Sequence, residues 1–207
     1  LYAAGDCGSV PHNYMLGAFV YGGIAGEDAA DYCAENDFAE IDRAEIDAER
    51  ERVLAQLSVE DGIPPEQMEY KLRRLVNDYL QPPKVTKKME IGMDRCAEIR
   101  ADLKNLQAKD PHELMRAMEV QFILDCAEMA AVSSMYRTES RWGLYHYRVD
   151  YPETDDGEWF CHVQTYKGED GMPACKKQEI EPYILDLDED EKQAYNKLRI
   201  VKNTVEA

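Results

Sequence analysis

Residues 137–162 read RTESRWGLYHYRVDYPETDDGEWFCH, from Arg137 to His162. The helical spacing of the preceding residues stops at Arg137, and strand-like alternation begins at Trp159 and runs to Thr165. In between, Trp142, Tyr145, Tyr147 and Tyr151 are interleaved with Arg141, His146, Arg148, Asp150, Asp155 and Asp156. Aromatic rings of this size seek burial, and charges placed among them need partners. The stretch therefore reads as an irregular crossing over a helical body, held by arginine–carboxylate pairs. Arg148–Asp150 is read as a structural pair. Trp142 and Tyr145 are read as packing residues.

Upstream of the crossing the pattern is helical. Asp110 is placed to cap a helix, Pro111 suits its first turn, and Glu113 can close a capping box. That helix runs to about Tyr136, with Leu114, Met118, Phe122, Cys126 and Met129 on one face. Val120, Ile123, Leu124, Ala127 and Ala131 form another face, so the helix is read as central. A helix over about 65–80 carries Met68, Leu72, Leu75, Val76 and Tyr79 on one stripe. Pro82-Pro83 ends it, and a third helix spans about 84–107, with Met89, Met93, Cys96, Leu103 and Leu106. Short connections between the three predict an antiparallel bundle. An acidic surface helix near 41–57 is expected to turn Ile46, Val53, Leu54 and Leu57 inward. Downstream of the crossing, residues 167–171 (KGEDG) are a turn and Lys176–Glu181 the return strand of a hairpin. The acidic run 186–191 opens a last short helix to about Arg199. The domains expected are 1–36, 37–136 and 137–207.

The chain has 207 residues, 24 basic and 42 acidic, for a net charge of −18. Such a field repels phosphate backbones and anionic membrane surfaces, so no nucleic acid is expected as a partner. No apolar run approaches the ~18 residues of a membrane-spanning helix. The six cysteines, at 7, 33, 96, 126, 161 and 175, show no CxxC spacing. The four histidines likewise lack metal-ligand spacing, so no metal is expected here. Cys33, Cys96 and Cys126 fall in helical patterns and are read as small core residues. Reduced thiols and a cytoplasmic setting are expected.

The N-terminal stretch is the second informative region. Leu1–Ala4 is a short apolar run, read as a strand ending at Gly5-Asp6. A loop containing His12 follows, and from Gly17 to about Asn36 the spacing is helical and dense in Gly and Ala. So many small residues imply close packing against another backbone or a flat ligand. A helix start also offers unpaired N–H groups and a partial positive charge, which favour an anion.

In order, Glu139-Ser140-Arg141, Tyr147-Arg148-x-Asp150-Tyr151-Pro152 and Asp155-Asp156-x-x-Trp159 resemble the C-terminal signature of the succinate dehydrogenase/fumarate reductase flavoprotein superfamily. Arg141-Trp142 and Tyr147-Arg148 look closest to the adenylylsulfate (APS) reductase alpha subunit branch. Gly5-Asp6, the His12 loop and the small-residue helix resemble the closing part of the superfamily's FAD-binding domain. The resemblance implies a mainly α fold: a three-helix bundle with a terminal β-hairpin, preceded by the last strand–loop–helix of an FAD-binding α/β domain. It implies an FAD-dependent oxidoreductase, passing electrons between a small substrate and an iron–sulfur partner subunit.

By the same resemblance Asp6 would bond the flavin ribityl chain. The amides of Leu16, Gly17 and Ala18 would cradle the isoalloxazine, and His12 would be catalytic. Arg141, His146 and Arg148 are candidates for contact with the flavin domain or the partner. The dicarboxylate branch places an Arg four residues after its His to clamp a carboxylate; here the run is His12-Asn13-Tyr14-Met15-Leu16-Gly17, and thioether Met15 cannot do that. The Gly-rich fingerprint that holds the FAD pyrophosphate and the catalytic capping domain are not in this sequence. The chain is therefore expected to be the C-terminal part of a longer flavoprotein, inactive alone. A non-catalytic helical interaction module is the other class these features admit.

Overall fold

A computed structural model describes residues 2–5, 14–141, 143–180 and 188–191. Asp6, Cys7, His12, Trp142 and most of the expected last helix lie outside them. Six α-helices and one hairpin are described: α1 Tyr14–Glu35, α2 Arg43–Leu54, α3 Pro65–Leu75, α4 Thr86–Asp102, α5 Pro111–Tyr136, α6 Asp156–Trp159, β1 Cys161–Lys167 and β2 Pro173–Glu179. A π-turn, Val76–Leu80, continues α3, so the helical stretch ends where Pro82-Pro83 requires.

The body is the bundle of α3, α4 and α5. Its core is Met68, Leu72, Leu75, Leu80, Met89, Cys96, Ile99 and Leu106, closed by Ala117, Val120, Leu124, Ala127 and Ala131 of α5. Ion pairs show the helix directions. Arg116, near the start of α5, reaches Glu66 and Glu69 at the start of α3. The end of α4 returns to the start of α3 through Lys71–Asp102 and the Ile63↔Leu106 bridge. So α4 runs against both neighbours. Close approach at the bend is permitted by Gly92: a Cβ there would lie 2.7 Å from Leu80 Cδ2 and 3.0 Å from Tyr79 Cβ.

One buried ion pair crosses the bundle. Glu128 of α5 is 2% exposed and accepts from Arg100 Nε at 3.1 Å and Nη2 at 2.5 Å; Asp125 accepts from the same Nη2 at 2.6 Å. Burial, with a smaller contribution from Glu128's charge, pushes the neighbouring Cys96 thiol up to about 11, so it is packing rather than nucleophile.

The cap of α5 forms as read. Asp110 Oδ1 accepts from the Glu113 N–H at 2.8 Å, while Glu113 reaches back one residue further, to the Lys109 N–H at 2.9 Å. The face of α5 that meets the bundle is Ala117–Val120–Leu124–Ala127–Ala131. Phe122, Met129 and Cys126 on the other face are exposed, as is Cys33 of α1. The inward reading of α2 fails too: no residue of α2 is buried, and Ile46, Leu54 and Leu57 are exposed. Among the described residues Arg52 Nη1, donating to Gln121 Oε1 at 2.8 Å, ties its end to α5.

β1 and β2 pair antiparallel from Cys161↔Glu179 to Lys167↔Pro173. The turn closes through Gly168 and Gly171, whose φ of +80° suits glycine. The first strand starts after Trp159, because Asp155 caps the four-residue α6 by accepting from the Gly157 and Glu158 N–H groups. No strand forms at Tyr2–Ala4.

Candidate functional site

The candidate residues fall into two groups. The first is the crossing segment, where three polypeptide stretches are joined by one guanidinium. Arg148 is 0% exposed. Its Nε and Nη2 donate to the two Asp150 oxygens at 2.9 Å each. Nη2 also donates to Thr86 Oγ1 at 2.7 Å, and Nη1 donates to the carbonyls of Ser134 and Arg137 at 2.6 and 3.0 Å. A guanidinium has five N–H donors, and all five are used. None remains for a ligand, so Arg148 works as a joint between α4, α5 and the crossing.

Asp150 completes the joint. α4 has no cap of its own; its N-cap residue is Val85. Asp150 supplies it from 64 residues away, accepting from the Thr86 N–H at 2.9 Å and from Thr86 Oγ1. A carboxylate at a helix N-terminus is favoured by the helix dipole. The Arg148 hydrogen bonds, helped by Thr86, hold the Asp150 carboxyl far below the usual carboxylate range. Lys84 adds a parallel bridge: its N–H donates to the Tyr147 carbonyl and its carbonyl accepts from the Val149 N–H. Its Nζ donates to Ser134 Oγ at 2.8 Å. Burial, then the nearby Arg148 charge, pushes the Lys84 ammonium down.

A second knot is built on Glu139, whose side chain is fully buried. It accepts from Arg137 Nη1 at 2.5 Å, Arg141 Nε at 2.7 Å, Arg141 Nη2 at 3.0 Å and the Asp155 N–H at 2.8 Å. Arg141 Nη2 also donates to Asp156 at 2.7 Å. Arg137 continues to the carbonyls of Trp159 and Cys161 and lies over the Trp159 ring at 5.4 Å. Lys177 sits over the same ring at 3.8 Å, and Tyr136 meets it edge-on. The hairpin is thereby fastened to the end of α5.

His146 lies between the two knots. Its carbonyl accepts from the Arg141 N–H at 3.0 Å, bridging Arg141 and His146. Its Nε2 is buried and has no hydrogen-bond partner among the described residues. Burial, then the charge of Lys84, brings its pKa down to about 4. The folded chain therefore holds His146 neutral, whereas the unfolded chain protonates it near 6.5. Stability from this residue is full above that unfolded value, falls as pH drops from about 6.5 to about 4, and is flat below. Unfolding midpoints of the native protein and of His146→Gln, compared at pH 7 and pH 5, test this. The native protein should lose more on acidification, the difference being at most about 3 kcal/mol.

Tyr145, read as a packing residue, is 80% exposed, and Leu144 is 81% exposed. Gly143 (φ +59°) lets the loop turn outward there. Sequence reading missed Glu139, Ser134, Ser140, Thr86 and Lys84 as members of this network. Glu139, set between Arg137 and Arg141, was the one local signal available.

The second group lies at the start of α1, a helix whose described side chains are mostly exposed. Leu16 and Gly17 are among its first four residues, whose amides lack intrahelical acceptors; Ala18 is the fifth. The first turn carries no acidic residue. Gly17 is buried and Leu16 is 74% exposed. Gly5 has φ +64°, and a Cβ there would touch Ala18 Cβ at 3.4 Å, so the turn before Asp6 lies against this helix start. Gly22, Gly23 and Gly26, expected to meet a close partner, have no described atom within 4 Å of an added Cβ.

Comparison with known proteins bears on the fold and the family. The family model described as "Fumarate reductase flavoprotein C-term" matches residues 69–195. The fumarate reductase flavoprotein subunit of Haemophilus influenzae is 25% identical over 190 residues, 84% of this chain and 31% of that protein. An uncharacterized FAD-dependent oxidoreductase of Methanocaldococcus jannaschii is 27% identical over 71% of this chain and 26% of its own length. The solved adenylylsulfate reductase of Archaeoglobus fulgidus superposes with a TM-score of 0.83 at 29% identity, over 91% of this chain and 33% of that one. E. coli quinol fumarate reductase shares the fold, with a TM-score of 0.74 at 22% identity. This chain thus spans about a third of the length of such relatives. Among the described residues no helix is long and apolar enough to cross a membrane. The helical body, the arginine-tied crossing and the matched segment make the chain a member of the fumarate reductase flavoprotein C-terminal family.

Proposed function

We propose that the chain is the C-terminal part of an FAD-dependent oxidoreductase that passes electrons between a small oxidised substrate and an iron–sulfur partner subunit. The observation that carries this reading is α1. Its first half, residues 14–26, has no charged residue, and Met15, Leu16, Phe19, Val20 and Ile24 stand exposed beside open glycines. Such a surface needs a cover. On this reading the cover is the remaining FAD-binding and capping part of the same protein. Residues 1–36 then close the FAD domain, 37–136 form the bundle and 137–207 the crossing and hairpin.

The start of α1 fits a flavin. Asp6 would hold the ribityl hydroxyls, and the Leu16 and Gly17 amides, at an acid-free helix start, would face the electron-rich edge of the ring. Bound FAD would supply the two-electron chemistry. The chain's own share is to bind and orient the cofactor and, through His12, to hold a proton near the substrate. Met15 offers no carboxylate clamp, which favours an APS-like or other acceptor over succinate. The arginine joints of the crossing serve position rather than turnover. Free thiols at Cys33, Cys96, Cys126, Cys161 and Cys175 suit a reducing, cytoplasmic setting.

Paired variants of the complete protein test this. Asp6→Ala should lower flavin stoichiometry; His12→Ala should lower turnover about 10²-fold or more with flavin content kept. Unchanged flavin in the first variant removes the ribityl assignment. Parallel losses of flavin and turnover in the second make His12 a structural residue.

A further inference from the structure

α1 changes character at Glu27. Its uncharged first half gives way to residues 27–54, which hold eleven carboxylates against three arginines, a net −8 of the chain's −18. Within the same stretch four large apolar side chains are exposed: Phe38 at 105%, Ile41 at 68%, Ile46 at 46% and Leu54 at 40%. No residue of α2 is buried, and beyond one i,i+3 pair, Glu49–Arg52, its acids are not neutralised by described ion pairs. An apolar strip inside an acidic field has two properties at once. The strip gains from being covered, and the field selects what covers it. An acidic surface, including a second copy of this −18 chain, is repelled, a neutral one gains nothing from the field, and a cationic one is steered in.

We propose that the 36–54 segment is a docking surface for a cationic protein partner that presents apolar anchors within a lysine- or arginine-rich face. Phe38 and Ile41 are the anchors on this side, and Asp37, Glu40, Asp42, Glu45 and Asp47 form the surrounding acidic rim. The surface is separate from the start of α1 and owes nothing to the flavin assignment. Its apolar centre with a charged rim is the arrangement of an exchangeable interface, in contrast to the charge-free half of α1.

The test uses the complete native protein and a labelled synthetic amphipathic helix with one leucine face and one lysine face, titrated by fluorescence anisotropy. Three variants are compared: Phe38→Ser with Ile41→Ser; the five rim acids changed to Asn or Gln; and five exposed acids elsewhere, Glu60, Glu66, Glu90, Asp94 and Glu119, changed likewise. None of the substituted side chains is buried, so each variant should fold, which unfolding midpoints verify. The expected result is about tenfold weaker binding in each of the first two and less than about twofold in the third. Absence of binding to the native protein would mean that the strip is already covered by its own polypeptide, and would overturn the proposal. Equal weakening in all three would reduce the effect to bulk charge, and unchanged binding in the serine variant would remove the apolar anchors; either overturns it as well.

Discussion

Replacing Arg148 by Met should cost about 3–5 kcal/mol of folding stability, the range for breaking a buried ion pair by removing one partner. The methionine fills similar volume but leaves the Ser134 and Arg137 carbonyls, Thr86 Oγ1 and the Asp150 carboxylate without their donor. The damage extends to α4, since Asp150 would then cap Thr86 as a half-buried charge with no cation beside it. Arg148→Lys should restore less than half of the loss, because three donors on a flexible stem cannot meet five positions around a planar fork. Denaturant unfolding of the three proteins checks this. A loss below about 1 kcal/mol in the Met variant, the scale of an exposed pair, would mean that the crossing is not joined through Arg148.

The second large effect is at Glu139. Glu139→Gln keeps shape but turns half of a four-acceptor carboxylate into an amide that points N–H groups at arginine N–H groups. The expected loss is about 3 kcal/mol or more. Trp159 reports it, since Arg137 lies on its ring and releases it when the pair breaks. The variant should also change the acid limb of stability. Burial alone would raise the Glu139 carboxyl, but the hydrogen bonds from Arg141, the Asp155 N–H and Arg137 outweigh it and hold it low. A carboxyl held below its unfolded value gives stability that is complete above about pH 4.3 and fades as pH falls through the folded value. The Gln variant lacks that fade. Unfolding midpoints with Trp fluorescence at pH 7 and pH 3.5 measure both effects. A Gln variant as stable as the native protein at pH 7 would show that the two arginines need no common anion.

Local chemistry explains what was legible beforehand. Asp110-Pro111 with Glu113 marks the start of α5 because a cap, a fixed φ and a returning carboxylate act within four residues. Pro82-Pro83 ends the second bundle helix for an equally local reason, and KGEDG turns the hairpin through its two glycines. Errors arose where the decision is made at long range. α5 carries two apolar faces, and nothing in its spacing says which one meets α3 and α4; Phe122 and Met129 were placed inside and are exposed, while Glu128 is buried because Arg100 lies across the bundle. Ile46 and Leu54 have helical spacing but meet no apolar surface among the described residues. Trp159 looked like the first strand residue because the Asp155 cap that draws it into α6 competes with alternation over only a few residues. The signature 137–162 pointed to arginine–carboxylate ties, and Arg148–Asp150 is one. Its further ties to Thr86 and Ser134 span up to 64 residues, which no local pattern encodes.

The central claim is that this chain completes a longer flavoprotein. Intact mass of the purified native protein, with an absorption spectrum of the same sample, tests it most directly. The account expects a mass well above the 23.7 kDa of this chain, on the scale of relatives about three times its length, together with flavin absorption bands. A mass near 23.7 kDa with no flavin absorption would contradict it, leaving a helical interaction module with no redox role.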